Sequence, residues 1–223
     1  MLEVKNINKK YRSHEILQNV SMYIARGEMV GLVGQNGAGK STFLQIVATA
    51  MSVNSGDLKL NGLSYKDNLK AVRRQIGYVP QEVALWEHMT VRENMLFFAK
   101  LSWNKLSDEQ CRAICENMQL HEWDKQVSAL SGGMKRKLNI ALSLIDDPQL
   151  LILDEPTVGI DLKSKTEIVR FLMQQAKEHQ KMILYTSHDM EEITTYCDRV
   201  YMMGDDSFYD DYLQRKGISL EKI

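Results

Sequence analysis

Cysteine is scarce in this chain: Cys111, Cys115 and Cys197 are the only three in 223 residues. An odd number cannot all pair. Cys111 and Cys115 have the i, i+4 spacing of one helix face and not that of a C-x-x-C clip, which argues against metal or redox chemistry. Net charge is nearly absent too. Lys plus Arg number 28 against 29 Asp plus Glu, so the overall balance points to no nucleic acid and no acidic membrane surface as partner. No apolar run approaches the roughly 18 residues of a membrane-spanning helix, and Met1 to Lys10 is too polar for a secretory leader. These absences place the protein in the cytosol. Low-complexity tracts, Gly/Ser linkers and internal repeats are missing as well. What is there is an ordinary globular composition, 44% hydrophobic and 26% charged, in a length that suits one large α/β domain with a smaller subdomain inserted.

Short apolar and polar runs alternate from Leu2 to Ala25, through Ile16, Leu17, Val20, Met22 and Ile24, which predicts an antiparallel β layer. Met29 to Val33 is a short apolar run that leads into a glycine-rich turn and a helix from Lys40 to about Met51. Gly56 to Leu63 reads as a hairpin around Asn61 and Gly62. From about Gln81 to Asp146 the pattern is mostly helical, and residues 82–146 are the candidate inserted subdomain. Two capping boxes mark helix starts there, Thr90 with Glu93 and Ser107 with Gln110. The second puts Cys111, Ile114, Cys115 and Met118 on the buried side of its helix. Strand signals return at Leu150 to Leu153, Met182 to Thr186 and Val200 to Met203, with a helix from Leu162 to Glu178 between the first two, as in a parallel sheet. The stretch after Gly204 takes no assignment.

Gly34-Gln35-Asn36-Gly37-Ala38-Gly39-Lys40-Ser41-Thr42 fits G-x-x-x-x-G-K-[ST] between a strand and a helix. Glycines let backbone N–H groups converge on phosphate oxygens, and the positive end of the following helix adds its dipole. Lys40 would reach the β- and γ-phosphates and the Ser41 hydroxyl would bind Mg²⁺. The motif by itself specifies a nucleoside triphosphate and no particular machine.

Phosphoryl transfer to water also needs a second metal ligand and a group that orients or deprotonates the water. The buried-strand pattern Leu150 to Leu153 ends in two acids at the place where such strands open into a crevice. Asp154 would hold Mg²⁺, directly or through water, and Glu155 would act as general base or water-positioner.

Leu130-Ser131-Gly132-Gly133-Met134 lies between these motifs and opens a helix. Ser131 is a good N-cap, Gly132 and Gly133 leave N–H groups uncovered, and Met134, Leu138, Ala141, Leu142 and Ile145 form an apolar stripe behind them. The helix start therefore reads as a second anion site. This segment resembles the signature motif of the ABC ATPases, and the resemblance covers nearly the whole chain. In order it takes in Tyr11, the phosphate loop, Gln81 after Ile76 to Val79, the signature, Asp154-Glu155, Asp161 and His188.

The resemblance implies an α/β P-loop NTPase core with a parallel sheet, an N-terminal antiparallel β subdomain and an inserted helical subdomain. It implies ATP and Mg²⁺, with Tyr11 stacked on adenine, Gln81 sensing the γ-phosphate and Mg²⁺, and His188 on the γ-phosphate. It further implies two ATPase subunits, identical or not, paired head to tail so that each signature closes over the other's nucleotide. Asp161 would touch the opposite subunit, while as a residue before a helix it also reads as a cap. Family membership also implies separate transmembrane permease subunits and a place on the cytoplasmic face of the membrane. Met134 departs from the glutamine of many relatives, and a thioether cannot reproduce amide hydrogen bonds. Gly-Gly-Met followed by Lys resembles the ABC-2 export branch, as does Ile76 to Leu96, which favours export.

The competing functions are a soluble ABC ATPase acting on ribosomes or DNA, and a nucleotide-binding module that does not hydrolyse. Relatives of the first kind fuse two ATPase domains or insert long coiled coils, which this sequence does not show; intact Lys40, Asp154, Glu155 and His188 oppose the second. The run Lys135-Arg136-Lys137 reads as a solvated helix face, not a nucleic-acid patch. Trp86, Met89, Phe97 and Phe98 read either as core or as a docking surface for a membrane subunit. Cargo would be chosen by the permease and is not written here.

Overall fold

The computed structural model describes residues 1–12, 14–218 and 220–223. β1 (Leu2–Tyr11) and β2 (His14–Ile24) pair antiparallel, as their alternation requires. β3 (Met29–Val33) follows with all five residues buried, then α1 (Lys40–Val47). β4 (Ser55–Leu60) and β5 (Leu63–Ser64) form the expected hairpin, with Asn61 and Gly62 at φ 50° and 81° as a type I′ turn demands. Next come α2 (Leu69–Arg73), β6 (Ile76–Val79), α3 (Val91–Leu101), α4 (Asp108–Asn117) and α5 (Gly132–Ser143). The chain continues through β7 (Leu150–Leu153), α6 (Leu162–Lys177), β8 (Met182–Thr186), α7 (Met190–Tyr196) and β9 (Arg199–Met202). The stretch left unassigned by sequence holds α8 (Ser207–Arg215) and β10 (Leu220–Lys222).

The strands make two sheets. One is four-stranded and antiparallel in the order β2-β1-β4-β5; the other is six-stranded and parallel in the order β10-β9-β3-β8-β7-β6. Successive side chains of a strand point to opposite faces. Val30, Leu32, Leu150, Ile152, Met182 and Leu184 accordingly join the core beneath α1 and the antiparallel sheet. Val33, Leu151, Leu153, Ile183 and Tyr185 join a second core shared with Met95, Cys111, Cys115, Leu138 and Ile168. Both faces of the parallel sheet are thus covered, which is why its strands are apolar throughout.

Both capping boxes form, and Cys111, Cys115 and Met118 are buried as expected, with Ile114 packed partly buried against them. Three expectations need correction. α1 stops short of Met51, because Thr49 turns left-handed at φ 63° and the N–H groups of Ala50 and Met51 both return to the Gln45 carbonyl. Residues 81–90 are not helical but a loop pinned by the buried Asn94, which exchanges hydrogen bonds with the Trp86 backbone at 3.0 and 3.1 Å. Trp86 and Phe97 are not core: they stand 47% and 39% exposed, stacked edge to face at 5.9 Å, while Met89 and Phe98 are half-buried. Among the described residues no helix is long and apolar enough to cross a membrane.

Candidate active site

Strand order explains the site. β3, β8, β7 and β6 are consecutive neighbours in one parallel sheet, so the segments that leave their carboxyl ends share one crevice. The loop Gly34 to Thr42 leaves β3, with Asn36, Gly37 and Ser41 exposed and Ala38, Lys40 and Thr42 half-buried. Gly39 is the N-cap of α1 at φ 96°; a Cβ there would lie 2.8 Å from Leu17 Cδ2 and 3.1 Å from the Ile16 carbonyl, so only glycine lets the turn close against β2. α1 begins with no side-chain cap and no acid in its first turn. Its first N–H groups lack intrahelical partners, as those of every helix do, and they suit an anion. Lys40 Nζ donates to the carbonyls of Gly34 at 2.6 Å and Gln35 at 3.0 Å. Burial lowers the Lys40 pKa below its ordinary value, with the Glu155 and Asp154 charges acting in the opposite sense.

The two acids after β7 are held from three sides. Asp154 is 6% exposed and accepts a hydrogen bond from Thr186 Oγ1 at 2.9 Å. The same oxygen accepts the Glu155 N–H at 2.9 Å. Glu155 accepts from Gln81 Nε2 at 3.0 Å through one carboxylate oxygen and lies 2.6 Å from His188 Nε2 through the other. Its backbone is left-handed, φ 48°, a conformation that costs a non-glycine residue about 1 kcal/mol or more. The three fixed contacts hold it there. From sequence alone Thr186 reads only as a strand end; the signal for its role is a hydroxyl closing an otherwise apolar strand next to the one that delivers Asp154.

The signature lies apart from this cluster in hydrogen bonding. Ser131 N-caps α5, accepting from the Met134 N–H at 3.3 Å. Gly132 is open, but Gly133 is not: a Cβ there would fall 2.1 Å from Ser164 Oγ and 2.4 Å from Ser164 Cβ. Gly133 therefore lets α5 approach the start of α6 closely, a packing role beside the one read from sequence. Asp161 caps that same start, accepting the Ser164 N–H at 3.0 Å and the Ser164 hydroxyl at 2.7 Å. Gly133→Ala should push α5 off α6 and lower the melting temperature by several degrees, for a cost of about 1–3 kcal/mol. Thermal unfolding followed by circular dichroism checks this; an unchanged melting point would show that the contact is slack.

The basic run is the clearest reversal. Arg136 and Lys137 are 5% and 4% exposed and form no solvated face. Arg136 donates to the carbonyls of Pro80 at 2.9 Å and Gln81 at 2.7 Å, and Lys137 pairs with Glu167 at 2.5 Å. Lys135 alone reaches outward, to Glu87. The helix that opens with the signature is therefore clamped to the segment that carries Gln81. Tyr11 is 47% exposed at the end of β1; its hydroxyl meets Met51 Sδ at 2.9 Å and Lys9 Nζ lies 5.4 Å from its ring centre.

A phosphate loop after a central parallel strand, with paired acids after a neighbouring strand, defines a P-loop ATPase domain. A family profile described as ABC transporter matches residues 17–158, and the chain belongs to that family as its ATP-binding domain. It is similar to the linearmycin resistance ATP-binding protein LnrL of Bacillus subtilis (strain 168), at 38% identity over 90% of this chain and 65% of that protein. The Nod factor export ATP-binding protein I of Rhizobium meliloti (strain 1021) is 35% identical over 91% of this chain and 61% of its own length. A maltose/maltodextrin import ATP-binding protein of Photorhabdus laumondii matches at 35% over 89% of this chain and 54% of its own length. The chain thus spans under two thirds of these relatives. Among solved structures, the dimeric post-hydrolysis state of the ATP-binding cassette MJ0796 bound to ADP and Pi superposes with a TM-score of 0.81 at 26% identity, over 91% of this chain and 94% of that one.

Proposed function

We propose that this protein hydrolyses ATP in a head-to-tail dimer, homodimeric or heterodimeric, and thereby drives transport through separate membrane permease subunits at the cytoplasmic face. The observation that carries the reading is Glu155, which the surrounding groups hold between Gln81 and His188 in a strained conformation beside Asp154. A carboxylate so placed can take the proton of an attacking water. Lys40 and the N–H groups of Gly34 to Thr42 bind the β- and γ-phosphates, His188 steadies the γ-phosphate, and Tyr11 stacks on adenine. Ser41, Asp154 and the side-chain oxygen (Oε1) of Gln81 are the hard oxygen donors that suit Mg²⁺. Gln81 spends its amide nitrogen on Glu155 and its backbone carbonyl on Arg136, which leaves the side-chain Oε1 for the cation. When bound, Mg²⁺ neutralises charge on the transferring phosphoryl group.

Ser131, Gly132 and Gly133 contribute from the second subunit, with Asp161 near the same interface. The helices within residues 82–146 act as the inserted subdomain, and the exposed Trp86 and Phe97 face the permease. Met134 in the signature and the likeness to a Nod factor export protein support export. Ser131→Arg places a bulky cation at the interface and should abolish an ATP-dependent dimer on gel filtration; a dimer that persists would sink the sandwich arrangement. Purification from native membranes should recover a membrane-spanning subunit. Recovery of ribosomal or chromosomal proteins alone would overturn the transport reading.

A further inference from the structure

Glu192 is a carboxylate buried to 2% exposure on α7, outside the groups that meet nucleotide. One of its oxygens accepts three hydroxyls: Thr157 Oγ1 at 2.9 Å, Tyr185 at 3.0 Å and Ser187 at 2.6 Å. Its other oxygen lies 2.9 Å from Lys165 Nζ. Burying a carboxylate costs several kcal/mol before any partner is found, and a well-packed apolar residue is often as stable there. What the charge achieves is convergence. Thr157 belongs to the segment between Glu155 and Asp161, Ser187 immediately precedes His188, and Lys165 lies on the helix that Asp161 caps.

Ser187 is held twice, since its hydroxyl donates to Glu192 and accepts the Asp189 N–H at 3.0 Å. Asp189 in turn pairs with Lys165 at 2.6 Å. The backbone on both sides of His188 is therefore tied to one buried cluster, while the His188 side chain itself is 46% exposed and lies 2.6 Å from Glu155 through Nε2. We propose that Glu192 is a positioning residue that registers His188 on Glu155 and links that register to the segment bearing Asp161. This rests on the reading of Glu155 and His188 as the hydrolytic pair.

Glu192→Gln keeps the shape but sets an amide NH₂ against a cluster of donors, and Ser187→Ala removes both hydroxyl contacts next to His188, to Glu192 and to the Asp189 N–H. Both variants should lower kcat for ATP hydrolysis about tenfold while KM for ATP stays within about twofold, since small misplacements act on the chemical step. Histidine ring resonances of the nucleotide-free protein supply a readout that needs no turnover: His188 should shift in both variants, while His14, His88, His121 and His179 stay put. An unmoved His188 resonance, or kcat and KM changing together with a fall in melting temperature in both variants, overturns the proposal. If His188 shifts as expected while Glu155→Gln hydrolyses ATP at the normal rate, the assignment of the hydrolytic pair fails and the positioning contact stands.

Discussion

Glu155→Gln is expected to lower steady-state ATP hydrolysis by roughly 10²- to 10⁴-fold, the usual worth of a positioned general base, while leaving ATP binding intact. The amide is nearly isosteric, so the left-handed backbone and the Thr186 contact to the Glu155 N–H survive. Gln81 can still donate to the side-chain oxygen, and the new NH₂ keeps a group of hydrogen-bonding capacity facing His188. What is lost is the lone pair that takes the proton. Phosphate release measures the first effect and equilibrium binding of labelled ATP the second. Normal phosphate release would remove Glu155 from its role. Weakened binding with a normal rate per bound nucleotide would make it a structural group.

Arg136→Met carries the largest expected loss of stability. The guanidinium makes two charge-assisted hydrogen bonds to backbone carbonyls, and methionine removes the donor from both while its buried position stays filled. Replacing a whole buried polar pair by apolar residues can be neutral, but here the partners are main chain and stay behind. A loss of about 3 kcal/mol follows, or roughly 6–12 °C in melting temperature for a domain of this size. kcat should fall as well, because the released segment carries Gln81, whose amide holds Glu155. Arg136→Lys keeps the charge but lacks the fork that spans two carbonyls, so its loss should be intermediate. Calorimetry and an ATPase assay on the two variants check both parts; equal stability of Arg136→Met and the parent would mean that the clamp is incidental.

Much of the fold was legible from periodicity and punctuation. The runs at Met29, Leu150 and Met182 became strands at the expected residues, and both capping boxes closed, because these signals are local and depend on few neighbours. The sequence left the aromatic pair Trp86 and Phe97 open between core and surface, and it placed the basic pair Arg136 and Lys137 on the wrong side of the surface. Composition gives the preference of a side chain for water, and it holds no information on which segment packs across from it. Arg136 is buried because the loop after β6 offers two carbonyls that need donors; Phe97 stays 39% exposed because its edge-to-face neighbour Trp86 is itself exposed and covers it only in part. The sequence does not single out Thr186 or Glu192, for a related reason. A lone hydroxyl at a strand end and an acid in the first turn of a helix are common, and only their convergence marks them.

By itself the sequence determined the strand and helix periods, the caps, and the order of motifs along the chain from Lys40 to His188, since each is encoded within a few bonds of the backbone. Only the tertiary structure decided that β6, β7, β8 and β3 lie side by side, and so that Gln81 and His188 meet on Glu155. The reason is physical: strand order in a parallel sheet is settled by how crossover connections bury two apolar faces at once, and no local pattern in the chain specifies that choice.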